Sequence, residues 1–171
     1  MTLRRTSDTY ARGMVQVVLV CGPAGSGKST AARGLEREGF VLLSFDEEAW
    51  ARGHRVHPVP EAVSAEIHEV LHRRLVALVR AGSDVVVDSS FWSRASRDRY
   101  RALLAPLGVR PVVHYLDAPR GVVLARLAER RGLGPDDIVV QADRARAYLD
   151  GFEVPTADEG PLVVVATEAA R

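Results

Sequence analysis

Cysteine is nearly absent from the sequence, and so are several features that mark other classes of protein. The 171 residues include a single cysteine, Cys21, which excludes an internal disulfide and favours a reducing, cytoplasmic location. No apolar stretch approaches the length of about 18 residues that a membrane-spanning helix needs. Cys21 ends an apolar run, where a small buried side chain is the expected role. These absences predict an ordinary globular protein that has no membrane partner.

A strong excess of charge of either sign is also lacking. The chain has 23 Lys and Arg residues against 22 Asp and Glu residues, which gives a formal net charge of +1. Proteins that hold nucleic acid over a broad surface need a basic excess, so this balance argues against that class. The sequence has no internal repeat and no low-complexity linker, and its length suits one domain. We therefore expect a flexible leader over residues 1–12 and a single domain over residues 13–171.

Lysine occurs only once, at position 28, and its surroundings form the strongest motif of the chain. The apolar run Val17–Cys21 predicts a strand, and the spacing G-x-x-x-x-G-K-S begins directly after it at Gly22. A helical sequence follows from Thr30. A strand, a glycine-rich loop and a helix in this order are the context of a phosphate-binding loop. The sequence thus predicts a binding site for a nucleoside triphosphate.

The residue types of this loop match its predicted chemistry. Glycines permit close approaches that a Cβ would block, and they let successive N–H groups turn toward an anion at the helix N-terminus. Lys28 is expected to reach the β- and γ-phosphates, and the Ser29 hydroxyl to bind Mg²⁺. The predicted cofactor-binding residues of the loop are Gly22, Pro23, Ala24, Gly25, Ser26, Gly27, Lys28, Ser29 and Thr30.

A carboxylate follows the second predicted strand, residues 40–44. Asp46 lies at the carboxyl end of this strand, where open α/β sheets bind their ligands. Three roles suit it: accepting a proton from a substrate hydroxyl, holding Mg²⁺ through water, or capping the next helix. We favour a functional role over a cap alone. The basic and aromatic segment 50–60 is predicted to be irregular, either at the rim of an acceptor pocket or as a solvated loop.

A predicted helix over residues 61–81 contains a second motif that requires a decision. His68, Glu69 and His72 form an H-E-x-x-H pattern, which ligates zinc in metalloproteases. We reject that interpretation, because both histidines flank the apolar stripe of the helix and no third ligand follows in a matching context. Arg74 on the same helix is either an anion contact or a surface side chain.

Polar residues recur at the ends of later elements. The short apolar strand 84–88 ends in Asp88, the position of a Walker-B-type acid and a candidate for substrate binding. Arg97, on a predicted helix over about residues 95–104, is a further candidate for substrate binding. A helix that runs to Arg131 gives way to a Gly/Pro segment, which predicts a hinged lid over about residues 126–140.

Strands and helices alternate along the whole chain, which predicts a parallel sheet covered on both sides. From residue 15 onward the chain resembles the small P-loop kinases of the AAA_33-type group, which are similar to the kinase half of polynucleotide kinases and to chloramphenicol phosphotransferase. The resemblance rests on the phosphate-binding loop, Phe45-Asp46 and residues 86–90, 115–119, 126–131 and 151–155. The expected fold class is α/β: a three-layer α/β/α P-loop NTPase fold with a five-stranded parallel sheet and a helical lid.

The resemblance implies transfer of a phosphoryl group from ATP, with Mg²⁺, to a hydroxyl group. It makes Asp46 the base that takes the hydroxyl proton, and it gives Asp88 the role of orienting the acceptor or a metal-bound water. Arg126 and Arg130 belong to the implied lid, with Arg130 touching the transferring phosphoryl. Residues 151–155 are implied to lie near the adenine.

Two departures bear on the acceptor. Polynucleotide kinases of this type carry an arginine three residues after the base aspartate, where this chain has Ala49, although Arg52 or Arg55 could substitute. Ser90 replaces the asparagine of their D-x-N motif. We therefore predict an ATP-dependent kinase that acts on a small-molecule hydroxyl. A 5′-hydroxyl polynucleotide kinase and a non-catalytic ATP-binding switch protein are the alternatives.

Overall fold

The computed structural model describes residues 14–167, so the predicted leader over residues 1–12 lies outside the described residues. The α-helices are α1 (Lys28–Arg37), α2 (Phe45–Ala51), α3 (Glu61–Arg80), α4 (Arg94–Leu104), α5 (Arg120–Ala128) and α6 (Ala142–Asp150). The strands are β1 (Val17–Cys21), β2 (Val41–Ser44), β3 (Val56–His57), β4 (Val85–Asp88), β5 (Val112–Asp117), β6 (Val139–Val140) and β7 (Leu162–Ala166). Most predicted elements are found, with ends shifted by one to three residues.

The central sheet has five parallel strands in the order β2-β4-β1-β5-β7. In its register Val20 of β1 lies opposite Asp88 of β4, and Cys21 lies opposite Tyr115 of β5. Every residue of β1 and of β4 is buried, which agrees with their continuous apolar sequences. The predicted five-stranded parallel sheet is confirmed.

Helices cover both faces of this sheet, as the alternating side chains of β1 require. Val17 and Leu19 pack in the core with Leu71 and Leu75 of α3. Val18 and Val20 point to the opposite face and pack in a second core with Leu35 of α1. Successive side chains of a strand alternate between faces, so a run of five apolar residues serves both layers. The three-layer α/β/α architecture is confirmed.

A small second sheet was not predicted. Strands β3 and β6 pair in parallel, with Val56 opposite Val139 and His57 opposite Val140. Residues 50–60, predicted to be irregular, instead contain the end of α2 and all of β3. Strands of two residues are too short to show a period in the sequence. Their pairing joins the segment after Asp46 to the end of the predicted lid.

No helix among residues 14–167 combines the length and the apolarity that crossing a bilayer requires.

Candidate active site

The phosphate-binding loop follows β1 and enters α1, as predicted. Gly22 has a φ of 153°, and a Cβ there would lie 2.6 Å from the Ser26 hydroxyl oxygen. Gly25 has a φ of 83°, and a Cβ there would lie 3.0 Å from the backbone oxygen of Val123. Both positions need glycine because of backbone angle and space together. The concave backbone that results is the cradle that a triphosphate needs at a helix N-terminus.

Lys28 spans this loop from the first turn of α1. Its Nζ donates to the backbone oxygen of Pro23 at 3.1 Å. Burial lowers the pKa of Lys28, and the charges of Asp88 and Asp46 oppose that effect. The ordinary pKa of a lysine side chain, from which burial lowers that of Lys28, lies far above neutrality. Pro23, Ala24 and Lys28 line the cleft described below, whereas Thr30 is exposed.

Asp88 lies at the carboxyl end of β4, beside β1. Burial raises the pKa of Asp88 to about 6, the positive charge of Lys28 acts in the opposite direction, and Asp46 raises the pKa further. The Ser29 hydroxyl donates a hydrogen bond to the Asp88 carboxylate, which also lowers the pKa of Asp88. A hydroxyl and a carboxylate side by side are oxygen donors of the type that Mg²⁺ prefers, so these two residues fit a magnesium ion that is bound together with phosphate oxygens.

Asp46 lies in the first turn of α2 and does not cap the helix. The N-cap is Ser44, whose hydroxyl accepts a hydrogen bond from the N–H of Glu47 at 3.3 Å. The Asp46 carboxylate is instead paired with His57, at 3.0 Å between Oδ1 and Nε2. Burial would raise the pKa of Asp46, but the hydrogen bond from His57 and the charges of His57, Lys28 and Arg130 keep it below the ordinary value. The N-cap alternative for Asp46 is thereby removed.

These groups surround one cleft with a volume of about 250 Å³. We call one side the phosphate wall; it consists of Pro23, Ala24, Lys28 and Asp88. We call a second part of the lining the acceptor wall; it consists of Phe45, Asp46, His57, Ser64 and His68. The cleft therefore brings together five of the predicted site residues: Pro23, Ala24, Lys28, Asp46 and Asp88.

The three arginines of the predicted lid do not line the cleft, but they differ in their contacts. Arg126 donates from Nη1 to the backbone oxygen of Gly25 at 3.2 Å, so it contacts the phosphate-binding loop. Arg130 donates to the backbone oxygen of Ile138 at 2.9 Å, and its charge lowers the pKa of both Lys28 and Asp46. Arg131 is exposed. Arg126 and Arg130 are thus better placed for phosphate contacts than Arg131.

The lid segment itself is folded against its neighbours. Helix α5 ends at Ala128, three residues before the predicted end, and the Asp137 carboxylate accepts hydrogen bonds from the N–H groups of Arg131 and Leu133 at 3.1 and 3.0 Å. Strand β6 then pairs with β3. A hinged movement of residues 126–140 remains a prediction.

Arg97 is a correction to the predicted substrate contacts, because the structure does not bring it to the cleft. Its side chain is fully buried, and its Nε and Nη2 each donate to the carboxylate of Glu159 at 2.7 Å. Its Nη1 donates to the backbone oxygens of Phe91 and Glu153, both at 2.9 Å. All three nitrogens are engaged, so Arg97 holds the chain around residues 152–159 against α4.

His57, His68 and Trp92 are among the cleft-lining residues that sequence reasoning missed. His57 was noted only as part of a basic segment, but it is the partner of Asp46. His68 was interpreted as a boundary residue of α3, yet it lines the cleft and packs on Phe45 with 5.0 Å between ring centroids. Trp92, 52% exposed, lines the cleft from the loop after β4. The only signal for His57 and Trp92 was the clustering of aromatic residues and histidines in segments that follow strand ends, and His68, within α3, had no such signal.

The two histidines of the H-E-x-x-H pattern have separate environments. His68 packs on Phe45, whereas His72 packs edge-on against Tyr100 at 4.6 Å between ring centroids. Within residues 14–167, no group of three or more His, Cys, Asp or Glu side chains is arranged to hold a metal ion.

A second, smaller cavity of about 150 Å³ adjoins the phosphate-binding loop at Pro23. Tyr115 and Phe152 line it and stack on each other, with 5.9 Å between ring centroids and 17° between ring planes. Stacked rings are a suitable surface for a flat base. Phe152 belongs to the segment 151–155 that is expected near the adenine, so this cavity is the candidate place for it.

Comparison with known proteins gives the family and the fold. A family model for an AAA domain (AAA_33) matches residues 17–155. No curated protein sequence matches the chain. The fold is similar to that of a sugar kinase from Janibacter sp. HTCC2649, in an unliganded structure, at 24% identity over 89% of this chain and 85% of that one, with a TM-score of 0.64.

Two further solved structures have the same fold. One is a gluconokinase from Sinorhizobium meliloti 1021, at 23% identity over 94% of this chain and 86% of that one, with a TM-score of 0.65. The other is the APS kinase of Mycobacterium tuberculosis in complex with AMPPNP and APS, at 19% identity over 81% of this chain and 97% of that one, with a TM-score of 0.54. At these identities the likeness establishes the fold alone. Because the family model spans most of the chain, the protein belongs to the AAA_33 family of AAA domains and has the fold of the small P-loop kinases.

Proposed function

We propose that the protein is an ATP-dependent kinase that transfers the γ-phosphoryl group to a hydroxyl of a small-molecule acceptor. The observation that carries this proposal is the arrangement of Asp46 and Lys28 in one cleft. Asp46 is held on the acceptor wall by His57, and Lys28 lies on the phosphate wall. A carboxylate opposite a phosphate cradle is the arrangement that phosphoryl transfer to a hydroxyl requires.

The phosphate wall supplies charge and position. The N–H groups of the loop bind phosphate oxygens, and Lys28 neutralises the charge that develops as the phosphoryl group moves. Ser29 and Asp88 would hold Mg²⁺, which when bound supplies charge neutralisation on the phosphate oxygens. Arg126, in contact with the loop, and Arg130, whose charge acts on Lys28 and Asp46, would stabilise the transferring group.

The acceptor wall supplies the base. Asp46 accepts the proton of the attacking hydroxyl, and its low pKa keeps the carboxylate ionised and ready at neutral pH. His57 donates a hydrogen bond that fixes the direction of the carboxylate. In the competing role, Asp46 would hold Mg²⁺ through water. The carboxylate would then lie near the same phosphate, but it would not accept the proton of the hydroxyl.

A small acceptor is favoured over a polynucleotide. Ala49, at the position of the arginine that polynucleotide kinases of this type use, is fully buried and offers no group to a nucleic-acid phosphate. Arg52 pairs with Glu66 at 2.9 Å and Arg55 packs over Trp50, so both side chains are directed to other partners. A cytoplasmic location, expected from the single cysteine, is part of the same proposal.

The decisive experiment is to measure ADP release with ATP, Mg²⁺ and a panel of hydroxylated metabolites and antibiotics, using wild-type protein and Asp46→Asn. We expect one or more acceptors to stimulate turnover, and the variant to lose about 10²- to 10⁴-fold in kcat while it retains nucleotide affinity. Glu48→Gln is the matched control, because Glu48 lies on the same helix and pairs with Arg74 at 2.6 Å.

Three results would redirect or end the proposal. Radiolabel transfer to an oligonucleotide in place of a small molecule would favour the polynucleotide kinase. Tight nucleotide binding with no phosphorylated product, together with a protein partner that binds only the ATP form, would favour the switch protein. If no acceptor stimulates ADP release and Asp46→Asn leaves the basal turnover unchanged, the kinase assignment fails.

A further inference from the structure

The acceptor wall offers rings to an incoming compound. Phe45 lies between His57 and His68, with ring centroids 6.4 Å and 5.0 Å away. Trp92 lines the same cleft and has half of its surface exposed. Burial lowers the pKa of His68 to about 4, with smaller contributions from His72 and Arg99, so this ring is uncharged at neutral pH. A compound that enters the cleft therefore meets flat ring faces beside Asp46.

Arginines close to this wall in sequence are directed away from it. Arg52 donates to Glu66 on α3 at 2.9 Å. The Arg55 guanidinium packs over the ring of Trp50, with 3.6 Å between Cζ and the ring centroid. Neither arginine lines the cleft. The two residues best placed in sequence to bind an anionic group of the acceptor are thus engaged elsewhere.

The remaining cations near the wall do not supply such a group either. Arg74 pairs with Glu48 at 2.6 Å. Arg99 is near enough for its charge to lower the pKa of His68, but its side chain is exposed and does not line the cleft. Among the described residues that line the cleft, Lys28 is the one lysine or arginine, and it lies on the phosphate wall.

Negative charge on the acceptor would be unfavourable in this cleft. Asp46 and Asp88 both line it, so an anionic acceptor would add negative charge beside two carboxylates and the phosphates of ATP. The cations whose charge acts on Asp46 are His57, Lys28 and Arg130. Of these, Lys28 and Arg130 face the transferring phosphoryl in the proposed mechanism, and His57 is already bonded to Asp46.

The volume limits the size of the acceptor. The cleft measures about 250 Å³ including its phosphate wall. Pockets for drug-sized ligands usually measure about 300–1,000 Å³. Room beside the phosphates therefore remains for a compound of one or two rings.

Resting on the proposed kinase function, we propose that the acceptor is an uncharged hydroxyl compound with an apolar ring face. Its ring packs between Phe45 and Trp92, and its hydroxyl points to Asp46. Sugar acids and nucleotides are excluded as preferred acceptors, because each brings an anionic group that the acceptor wall does not bind.

The first test compares acceptors that differ in one feature. Wild-type protein with ATP and Mg²⁺ is assayed for ADP release against 1-phenyl-1,2-ethanediol and other ring-bearing alcohols, their ring-carboxylated analogues, ring-free polyols such as glycerol, and gluconate. We expect the uncharged ring-bearing members to have kcat/KM values at least about tenfold above those of every anionic or ring-free member. If gluconate, a carboxylated analogue or glycerol is the best acceptor, the inference is wrong and the kinase function stands. If no compound in this panel or the broader one stimulates release, and Asp46→Asn leaves the basal turnover unchanged, the kinase function itself fails.

The second test changes the charge of the wall. Ser64 lines the cleft on α3, and Ala65 beside it is exposed, so Ser64→Arg and Ala65→Arg add the same charge inside and outside the cleft. We expect Ser64→Arg to shift the ratio of kcat/KM for carboxylated over uncharged acceptors by about tenfold, and Ala65→Arg to leave it unchanged. Equal ratios in both variants would contradict the inference, provided that thermal unfolding shows both to be folded.

The third test reads binding without turnover and uses the two tryptophans of the chain. In Trp50→Phe the remaining tryptophan, Trp92, reports from the cleft, and in Trp92→Phe the remaining Trp50 reports from outside it. We expect the ring-bearing alcohols that support turnover to change the fluorescence of Trp50→Phe protein at concentrations near their KM, and not that of Trp92→Phe protein. No change in either variant, while turnover is retained, would show that the ring does not contact Trp92 and would overturn the proposed placement.

Discussion

The phosphate wall and the acceptor wall line one cleft, but they are assembled in different ways. The phosphate wall comes from one continuous loop and the residue at the end of the neighbouring strand, and its shape depends on glycine backbones. The acceptor wall draws side chains from α2, β3 and α3. A wall built from backbone groups requires certain residue types at fixed spacing in the sequence. A wall built from side chains can change the ligand that it binds without a change of fold. This contrast explains how one fold serves several acceptors.

The largest expected effect comes from the phosphate wall. Lys28→Met removes the one lysine of the chain from the loop, and we expect kcat to fall about 10³-fold with every acceptor, because a preorganised charge at the phosphoryl group is lost. Lys28→Arg is the informative companion, since a planar guanidinium does not replace a compact ammonium here. If the fall in kcat differed strongly from one acceptor to another, the two walls would not act separately. ADP release and nucleotide binding are the measurements.

The next effect concerns the buried ion pair between Arg97 of α4 and Glu159. Arg97 and Glu159 are buried and bonded at 2.7 Å, so Glu159→Gln leaves a buried guanidinium without its counter-charge and should cost about 3 kcal/mol of unfolding free energy. Asp98→Asn is the control, because Asp98 is a half-exposed partner of Arg101 and its loss should cost under about 0.5 kcal/mol. Urea denaturation of both variants checks the difference. Equal costs would show that the buried pair is not special.

The same carboxylate gives a dependence on pH. The hydrogen bond from Arg97 holds the pKa of Glu159 at about 2, below its unfolded value near 4.5. The stability that it contributes is therefore fully present above about pH 4.5 and is lost as pH falls toward 2. We expect the unfolding free energy of wild-type protein to fall more steeply over this window than that of Glu159→Gln. Parallel slopes would contradict the assignment.

A smaller effect is expected from His57 on the acceptor wall. His57→Leu removes the partner of Asp46, and a hydrogen bond to a charged group contributes about 1.5 kcal/mol, so kcat should fall about tenfold with little change in ATP affinity. Without His57 the pKa of Asp46 rises, which moves the acid limb of the kcat profile to higher pH, because the base acts when ionised. His57→Gln, which keeps a donor, should recover part of the rate. An unmoved pH profile would make His57 a purely structural residue.

The contrast between the walls also explains what could be predicted from sequence. The loop, the five parallel strands and the positions of Asp46 and Asp88 follow from local patterns, since each depends on residues close together in the chain. The pairing of Asp46 with His57 depends on β3 and β6, whose two residues each carry no period. Arg97 was misjudged because its partner, Glu159, lies 62 residues away, and an arginine on an amphipathic helix gives no sign of being buried.

The smallest expected effect concerns Cys21, at the base of the phosphate wall. Cys21 is fully buried, its thiol donates to the backbone oxygen of Phe91 at 3.5 Å, and burial raises its pKa to about 12. The reactive thiolate is therefore scarce at pH 8, and folded protein should react with a thiol reagent at least about 100-fold more slowly than protein unfolded in guanidinium. Cys21→Ala should keep phosphoryl transfer within about twofold of wild type, because the thiol does not line the cleft. Rapid labelling of the folded protein would mean that the Cys21 thiol is accessible. Loss of transfer in Cys21→Ala would mean that the phosphate wall depends on this side chain.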